Sequence, residues 1–367
     1  MNHLQRWKNT IERKSVDRLP RFYLGTSEFT ESLESYMHLG LEEILYDRFK
    51  IDYRFQNDGY EGKSWEPTYI GPELKTHQDG TFDNIWGSRQ RKAYHQDGKG
   101  SYIETVQYAL KEAESVKDVE QHPWPKAEWF DYESVLPFIK EHPEYPFMVG
   151  YLSLGWFSWE ARGMERCMED FYINPDVAEA VIGHISEFGF EYYTRLLEAV
   201  KDHIGKNVVA IHLADDWGTQ SGLLMSPDIF DKFFAHHYRK FTNLAHSYGL
   251  KVEFHSCGAA RLLYGKFAEV GVDIMNPVQT SADGMVPAEI KAEYGKDLAF
   301  SGAIDVQQLL PNASRQEVKD EVKSLLDVMG KDGGYYPGPA HNIQLGTPPE
   351  NVIAMYEAMD EYYGNTS

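Results

Sequence analysis

The sequence predicts an α/β fold: a single (β/α)8 barrel of the TIM type, with an N-terminal helix and an inserted irregular region, running as one domain over residues 1–367. Three observations carry this reading. From about residue 146 short apolar runs alternate with amphipathic segments, the pattern of a parallel sheet covered by helices. About eight strands result when the N-terminal half is included, which favours a closed barrel over an open sheet. The strands are almost purely apolar, and polar or metal-capable residues follow them, as expected of a fold whose site sits at the C-terminal strand ends.

The elements follow in chain order. Residues 2–14 read as an amphipathic helix with Leu4, Trp7 and Ile11 at helical spacing. Asp17-Arg18-Leu19-Pro20 breaks it, Arg21–Leu24 reads as a first strand and residues 28–50 as helical. Residues 50–110 form the irregular insertion, read as hairpins or a lid from Gly71-Pro72, Asp79-Gly80, Asp97-Gly98 and the apolar/polar alternation around 81–107. His122-Pro123-Trp124-Pro125 is a linker signal. Strands are then expected at Phe147–Tyr151, Val208–Leu213, Val252–Phe254, Asp273–Met275, Leu298–Ser301 and Gly334–Tyr336. The intervening helices fall at 157–171, 175–203, after Ser226-Pro227-Asp228, and at 259–270, 287–294 and 314–330; Thr347-Pro348-Pro349-Glu350 opens the last as a capped start.

Composition narrows the function classes. A formal net charge of −21 argues against non-specific nucleic-acid binding and against anionic membrane surfaces. No apolar h-region opens the chain and no run reaches membrane-span length, so a cytoplasmic protein is expected. Two cysteines, Cys167 and Cys257, cannot build a disulfide framework. The 24 Tyr, 19 Phe and 8 Trp exceed what a core alone calls for, so an aromatic-lined pocket is an expectation beside it. No Gly-rich dinucleotide or phosphate loop follows any strand.

Phe254-His255-Ser256-Cys257-Gly258 carries the chemistry. On a strand, positions i and i+2 share a face, so His255 and Cys257 point the same way, and zinc accepts imidazole nitrogen and thiolate sulfur together. His341, after the last strand, is the third candidate ligand, brought near only by a barrel. Asp215, Asp216 and Gln220 follow the 208–213 strand; Asn276 and Gln279 follow 273–275; Gly302 and Asp305 follow 298–301. Asn276, Gln279 and Asp305 are the candidates for contacting a cofactor. Each residue alone has a structural alternative: a hydrogen-bonded histidine, a buried core cysteine, an Asx turn at Asp215-Asp216. Their convergence on one rim favours a site. Cys167 reads as core and His236-His237 as a helix face. The stretch Trp156–Glu165 reads either as pocket lining or as an Arg–Glu structural pair.

The chain resembles the uroporphyrinogen decarboxylase superfamily, and within it the cobalamin-dependent methyltransferase branch. The resemblance rests on Val16–Pro20, Trp124-Pro125, Arg162–Glu165, Asp215–Gln220, Ile229-Phe230, His255–Gly258, Gly302–Asp305 and Pro339–Gln344 before Thr347–Asn351. It implies a single TIM barrel with its pocket at the C-terminal rim. The decarboxylases carry an N-terminal arginine motif that grips porphyrin carboxylates; here the region reads Arg21–Glu28 without an arginine pair. The methyltransferases hold zinc through His-x-Cys and a later Cys. His255 and Cys257 match the first two, and His341 stands where the relatives place the second thiolate. A thiolate cancels one unit of zinc charge and imidazole none, so this set leaves a more positive centre suited to polarising an ether or hydroxyl oxygen.

The expectation is therefore a zinc-dependent methyltransferase. It would move a methyl group from a small methylated donor, methoxy-aromatic compounds included, to a corrinoid (cobalamin) on a partner protein, with Asp215, Asp216 or Glu160 relaying protons or supporting the ligands. Two competing expectations are a metal-independent decarboxylase or lyase using Asp215 or Asp216, and a non-catalytic corrinoid- or tetrapyrrole-binding barrel. Barrels of this type often associate, so a homodimer is a further expectation.

Overall fold

The computed structural model describes residues 1–53, 66–94 and 101–364. Its centre is a parallel sheet of six strands: β1 (Phe147–Leu152), β2 (Val208–Ala214), β3 (Lys251–His255), β4 (Ile274–Val278), β5 (Ala299–Ile304) and β6 (Tyr335–Pro339). Each strand pairs with its successor and the order never reverses. A sheet wound in one direction keeps all its crossover helices on one face and curls around the other, which is the TIM-barrel arrangement. The strands are buried along nearly their whole length because both faces are covered; all of β2 is buried.

Consecutive side chains go to opposite faces. Val149, Met275, Phe300 and Tyr335 pack outward with the helices in the main core. Their neighbours Met148, Ile274, Ala299 and Tyr336 pack inward with Phe22, Leu24 and Tyr53 in a second cluster. That inner cluster joins side chains of the two edge strands, β1 and β6, to the N-terminal segments. Trp7 and Ile11 of the helix His3–Ile11 complete it from below, so the predicted amphipathic helix plugs the lumen.

The predicted first strand at Arg21–Leu24 is extended beside β6 but forms no ladder. Phe22 N donates to Pro337 O at 3.4 Å, Ile343 N to Leu24 O at 2.9 Å, and one bridge joins Gly25 to Ile343. The reason is in β6: residues 337 and 339 face this segment, both are proline, and neither has an N–H to give.

Other boundaries move for local reasons. The helix expected over 157–171 is two, Leu154–Arg162 and Met164–Ile173, separated by Gly163 at φ 89°. The 28–50 stretch is the α-helix Ser27–Met37, stopped by His38 in the left-handed region, followed by a π-helical turn at Glu43–Arg48. The last helix, Pro349–Tyr362, has no side-chain cap; Pro348 holds the cap position and Pro349 starts the first turn with its φ already set. In the insertion, Phe82–Asp83, Arg89–Tyr94 and Ser101–Gln107 form an antiparallel sheet, as expected; the Asp97-Gly98 turn lies outside the described residues. No helix among the described residues is long and apolar enough to cross a membrane.

An ion network ties the plug helix to the barrel. Asp52, with no exposed side-chain surface, accepts from Arg6 Nη1 at 2.6 Å, from the Arg21 backbone N at 2.9 Å and from the Arg18 guanidinium. Burial pushes the Asp52 carboxyl up, but His3, Arg18 and Arg6 outweigh it and hold it below the usual carboxylate range. A depressed folded-state pKa means that stability is present above the unfolded value of about 4 and is lost as pH falls through the folded one. Asp52→Asn is expected to cost about 3 kcal/mol at neutral pH, because the buried Arg18 guanidinium loses its counter-charge and Arg6 keeps only Asp17. Urea melts should also show a shallower loss of stability on acidification in the variant than in the wild type.

Candidate metal centre

The ligating atoms of His255, Cys257 and His341 all lie within 4.8 Å of one another. β3 ends at His255, so Cys257 sits in the loop beyond it and not on the strand face that the i, i+2 spacing predicts. Its thiol still comes to 3.3 Å from His255 Nε2. The loop does what the strand does not. Gly258 has φ 78° and packs against Gly218 so closely that a Cβ on it would lie 2.4 Å from the Gly218 carbonyl carbon. Ala259 N donates to Thr219 O at 2.8 Å, and Trp217 N to Ser256 Oγ at 3.0 Å, knitting the loop after β3 to the loop after β2.

Neighbouring groups hold the His255 ring and the Cys257 loop. Asn276 Oδ1 lies 2.8 Å from His255 Nδ1, while Asn276 Nδ2 donates to Ser301 Oγ at 3.1 Å. With the amide oxygen toward the ring, Nδ1 carries the proton and Nε2 keeps its lone pair toward Cys257 and His341. Asp216 Oδ1 accepts from Cys257 N at 2.9 Å and stands 3.9 Å from His255 Nε2. Gln279 Oε1 accepts from Gly258 N at 2.7 Å. Burial pushes the Cys257 thiol up, and a hydrogen bond with His341 offsets part of that. A cleft of about 420 Å³ opens beside the three ligands, lined by Asp216, Gln220, Cys257, Gln279, Asp305 and His341 among others.

The remaining sequence candidates fall in different places. Asp215 is buried and accepts from Leu154 N (2.9 Å), Gly155 N (2.7 Å), Trp156 N (3.0 Å), Tyr238 Oη (2.6 Å) and Ser153 Oγ. It is the anion at the N-terminus of the Leu154–Arg162 helix. Burial pushes its carboxyl up to about 6 against the pull of those donors. Glu160 accepts from Gln90 Nε2 at 3.1 Å and Trp156 Nε1 at 3.3 Å, so the inserted sheet reaches the helix that follows β1; burial pushes its carboxyl up. Of the three expected to contact a cofactor, Asn276 orients His255 and Gln279 holds the loop. Asp305 caps its own turn through Gln307, Gln308 and Leu309 N. Arg162 pairs with Asp170, not with a glutamate, and Cys167 is buried.

Sequence reasoning passed over His212 and Glu253. They are register partners on β2 and β3, both 3 % exposed, with His212 Nδ1 3.1 Å from Glu253 Oε1. The His212 ring centroid lies 6.3 Å from that of His255 and 6.0 Å from that of Tyr151. A histidine within the otherwise apolar β2 and a glutamate between Val252 and Phe254 were the available signal.

The profile of the family described as uroporphyrinogen decarboxylase (URO-D) matches residues 158–362, more than half of the chain and the stretch that contains His255, Cys257 and His341. The chain belongs to this family. Family relatives include a uroporphyrinogen decarboxylase of Geotalea uraniireducens (strain Rf4), 25 % identical over 215 residues, 58 % of this chain and 57 % of that protein. They also include the methylcobamide:CoM methyltransferase MtaA of Methanosarcina barkeri, 28 % identical over 189 residues, 51 % of this chain and 50 % of that protein. The matches thus span about half the length of these curated relatives. Among solved structures, a methyltransferase from Methanosarcina mazei aligns over 99 % of each chain with a TM-score of 0.64 at 18 % identity, so the two chains share one fold over their whole length.

Proposed function

We propose that this chain is a zinc-dependent, corrinoid-linked methyltransferase, built as one barrel unit, that takes a methyl group from a small methoxylated or otherwise methylated donor. The observation that carries the reading is the convergence of His255, Cys257 and His341 at the C-terminal strand ends, beside an open cleft. Nitrogen, sulfur and nitrogen donors fit zinc, and a three-ligand set keeps a position for substrate. Zinc held there supplies Lewis acidity to an ether or hydroxyl oxygen, and a reduced corrinoid on a partner protein is the methyl acceptor.

The chain's own residues do the rest. Asn276 holds the His255 ring through Nδ1, with Nε2 toward Cys257 and His341, and Asp216 and Gln279 hold the Cys257 loop in place. Asp216, partly exposed beside the ligands, and Glu160, whose carboxyl burial favours in its protonated form, are the candidates to hand a proton to the departing oxygen. Asp215 is an anchor in this scheme, not a proton carrier. The decarboxylase alternative is disfavoured by the N-terminal arginines. Arg18 and Arg21 are buried in pairs with Asp52 and Asp360, and a polyanionic substrate needs free cations.

Purified protein is expected to carry about one zinc at the mouth and to methylate cob(I)alamin in a screen of methoxylated donors. A fully folded, metal-free protein with undiminished activity would overturn the reading, and indifference to strong chelators would favour the decarboxylase. Asn276→Ala should weaken metal affinity about 10- to 100-fold, since it frees the ring that the amide orients. Competition against a chromophoric chelator measures this.

A further inference from the structure

A second cluster of metal-capable side chains lies on the helices, built from residues that the site at the barrel mouth does not use. Glu179 is on the helix Pro175–Ala199, and His236 and His237 are in the first turn of the helix Ala235–Ser247. Their ligating atoms also lie within 4.8 Å of one another. Glu179 Oε1 is 3.2 Å from His236 Nε2 and 3.4 Å from His237 Nε2. A tetrahedral ion about 2.0–2.1 Å from each ligand separates them by roughly 3.3–3.4 Å, so both spacings match the edges of such a site.

His237 is the informative residue. Its side chain is 4 % exposed, yet neither ring nitrogen has a hydrogen-bond partner. A buried imidazole left in that state costs free energy unless something satisfies it. Consecutive helical residues ordinarily point in different directions. Here the two rings come to 3.9 Å between centroids and both meet the same carboxylate oxygen. Burial, with His236 and Lys240 adding to it, pulls His237 down to about 3, so the ring is neutral, the form that ligates a metal. Lys240 opposes a cation, and the Glu179 carboxylate offsets it.

We propose that Glu179, His236 and His237 form a second zinc site that clamps the helix preceding β2 to the helix following it. Tyr238, next to His237, donates to Asp215, so the clamp would brace the anchor beneath the mouth.

The test counts metal in full-length protein. Chelator-stripped wild type and Glu179→Gln/His236→Gln are equilibrated with zinc, freed of excess and measured by mass spectrometry. Both substitutions are at exposed positions and should leave the fold intact. The double variant should hold about one zinc per chain fewer than wild type, whatever the mouth binds. In His255→Ala/Cys257→Ala protein about one zinc should remain, and adding it should raise the Tm only while Glu179 and His236 are present. Equal zinc content in wild type and Glu179→Gln/His236→Gln, or a metal-free His255→Ala/Cys257→Ala protein that takes up none, overturns the proposal.

Discussion

His255→Ala and Cys257→Ala should each empty the mouth of zinc and lower methyl transfer by at least about 10²–10³-fold, with the fold intact. The magnitude follows from losing a Lewis acid worth several kcal/mol at about 1.4 kcal/mol per decade. The fold should survive because both side chains are only partly buried; the bond from Asp215 N to His255 O runs through the backbone, which the substitution leaves in place, and Cys257 lies in the loop beyond β3. His341→Ala is the more discriminating variant. It lies in the loop after β6 and is exposed. Loss of metal on this substitution supports the two-imidazole set, whereas retention of both metal and activity removes His341 from the ligands. His341→Cys, which gives a set with two thiolates, should keep the metal and shift preference away from oxygen-linked methyl donors, because the added negative charge makes the centre a weaker electrophile. Metal analysis and paired rates on thioether and ether donors read both outcomes.

Asp215→Ala should instead unfold or badly weaken the protein, by about 4 kcal/mol or more. The substitution strips the acceptor from the Leu154 and Gly155 N–H groups, the Ser153 hydroxyl and the Tyr238 hydroxyl, all of them buried bonds, while Trp156 N keeps Ser153 Oγ. Each buried donor left unsatisfied costs about 1–3 kcal/mol. The space will not close over the loss, because Gly155 packs directly on this carboxylate: a Cβ there would lie 2.9 Å from Asp215 Oδ1. Asp216→Ala, one residue on and partly exposed, should leave the Tm nearly unchanged while weakening metal binding and turnover. Denaturant melts and rates on the two variants separate the roles. If Asp215→Ala melts like wild type but has lost activity, Asp215 is a catalyst after all.

These adjacent aspartates show where sequence reading stops. Both follow a strand, both are acidic, and nothing in the chain order separates them. Past the end of β2 the chain turns one inward beneath the helix Leu154–Arg162 and the other toward the cleft, and only the folded neighbours reveal which is which. Asn276, Gln279 and Asp305 behave similarly. Gln279 and Asp305 do follow their strands, whereas Asn276, expected after 273–275, lies within β4; their partners, a histidine ring for Asn276, a glycine N–H for Gln279 and its own turn for Asp305, were not legible. His212 and Glu253 were readable in principle, since each sits between apolar residues of a strand, yet only the parallel register makes them a pair.

The sequence by itself determined the strand–helix alternation, the family and the identity of the three metal-capable residues at the mouth. All of these are written in local patterns: apolar runs, capping residues and a His-x-Cys motif. The tertiary structure alone decided that His341 meets His255, that a glycine-packed loop rather than the strand aims Cys257, and that Asp215 anchors a helix. The physical reason is common to all three. Each depends on which backbone groups from distant loops come within hydrogen-bond reach, and that is set by the winding of the barrel and not by any residue's immediate neighbours.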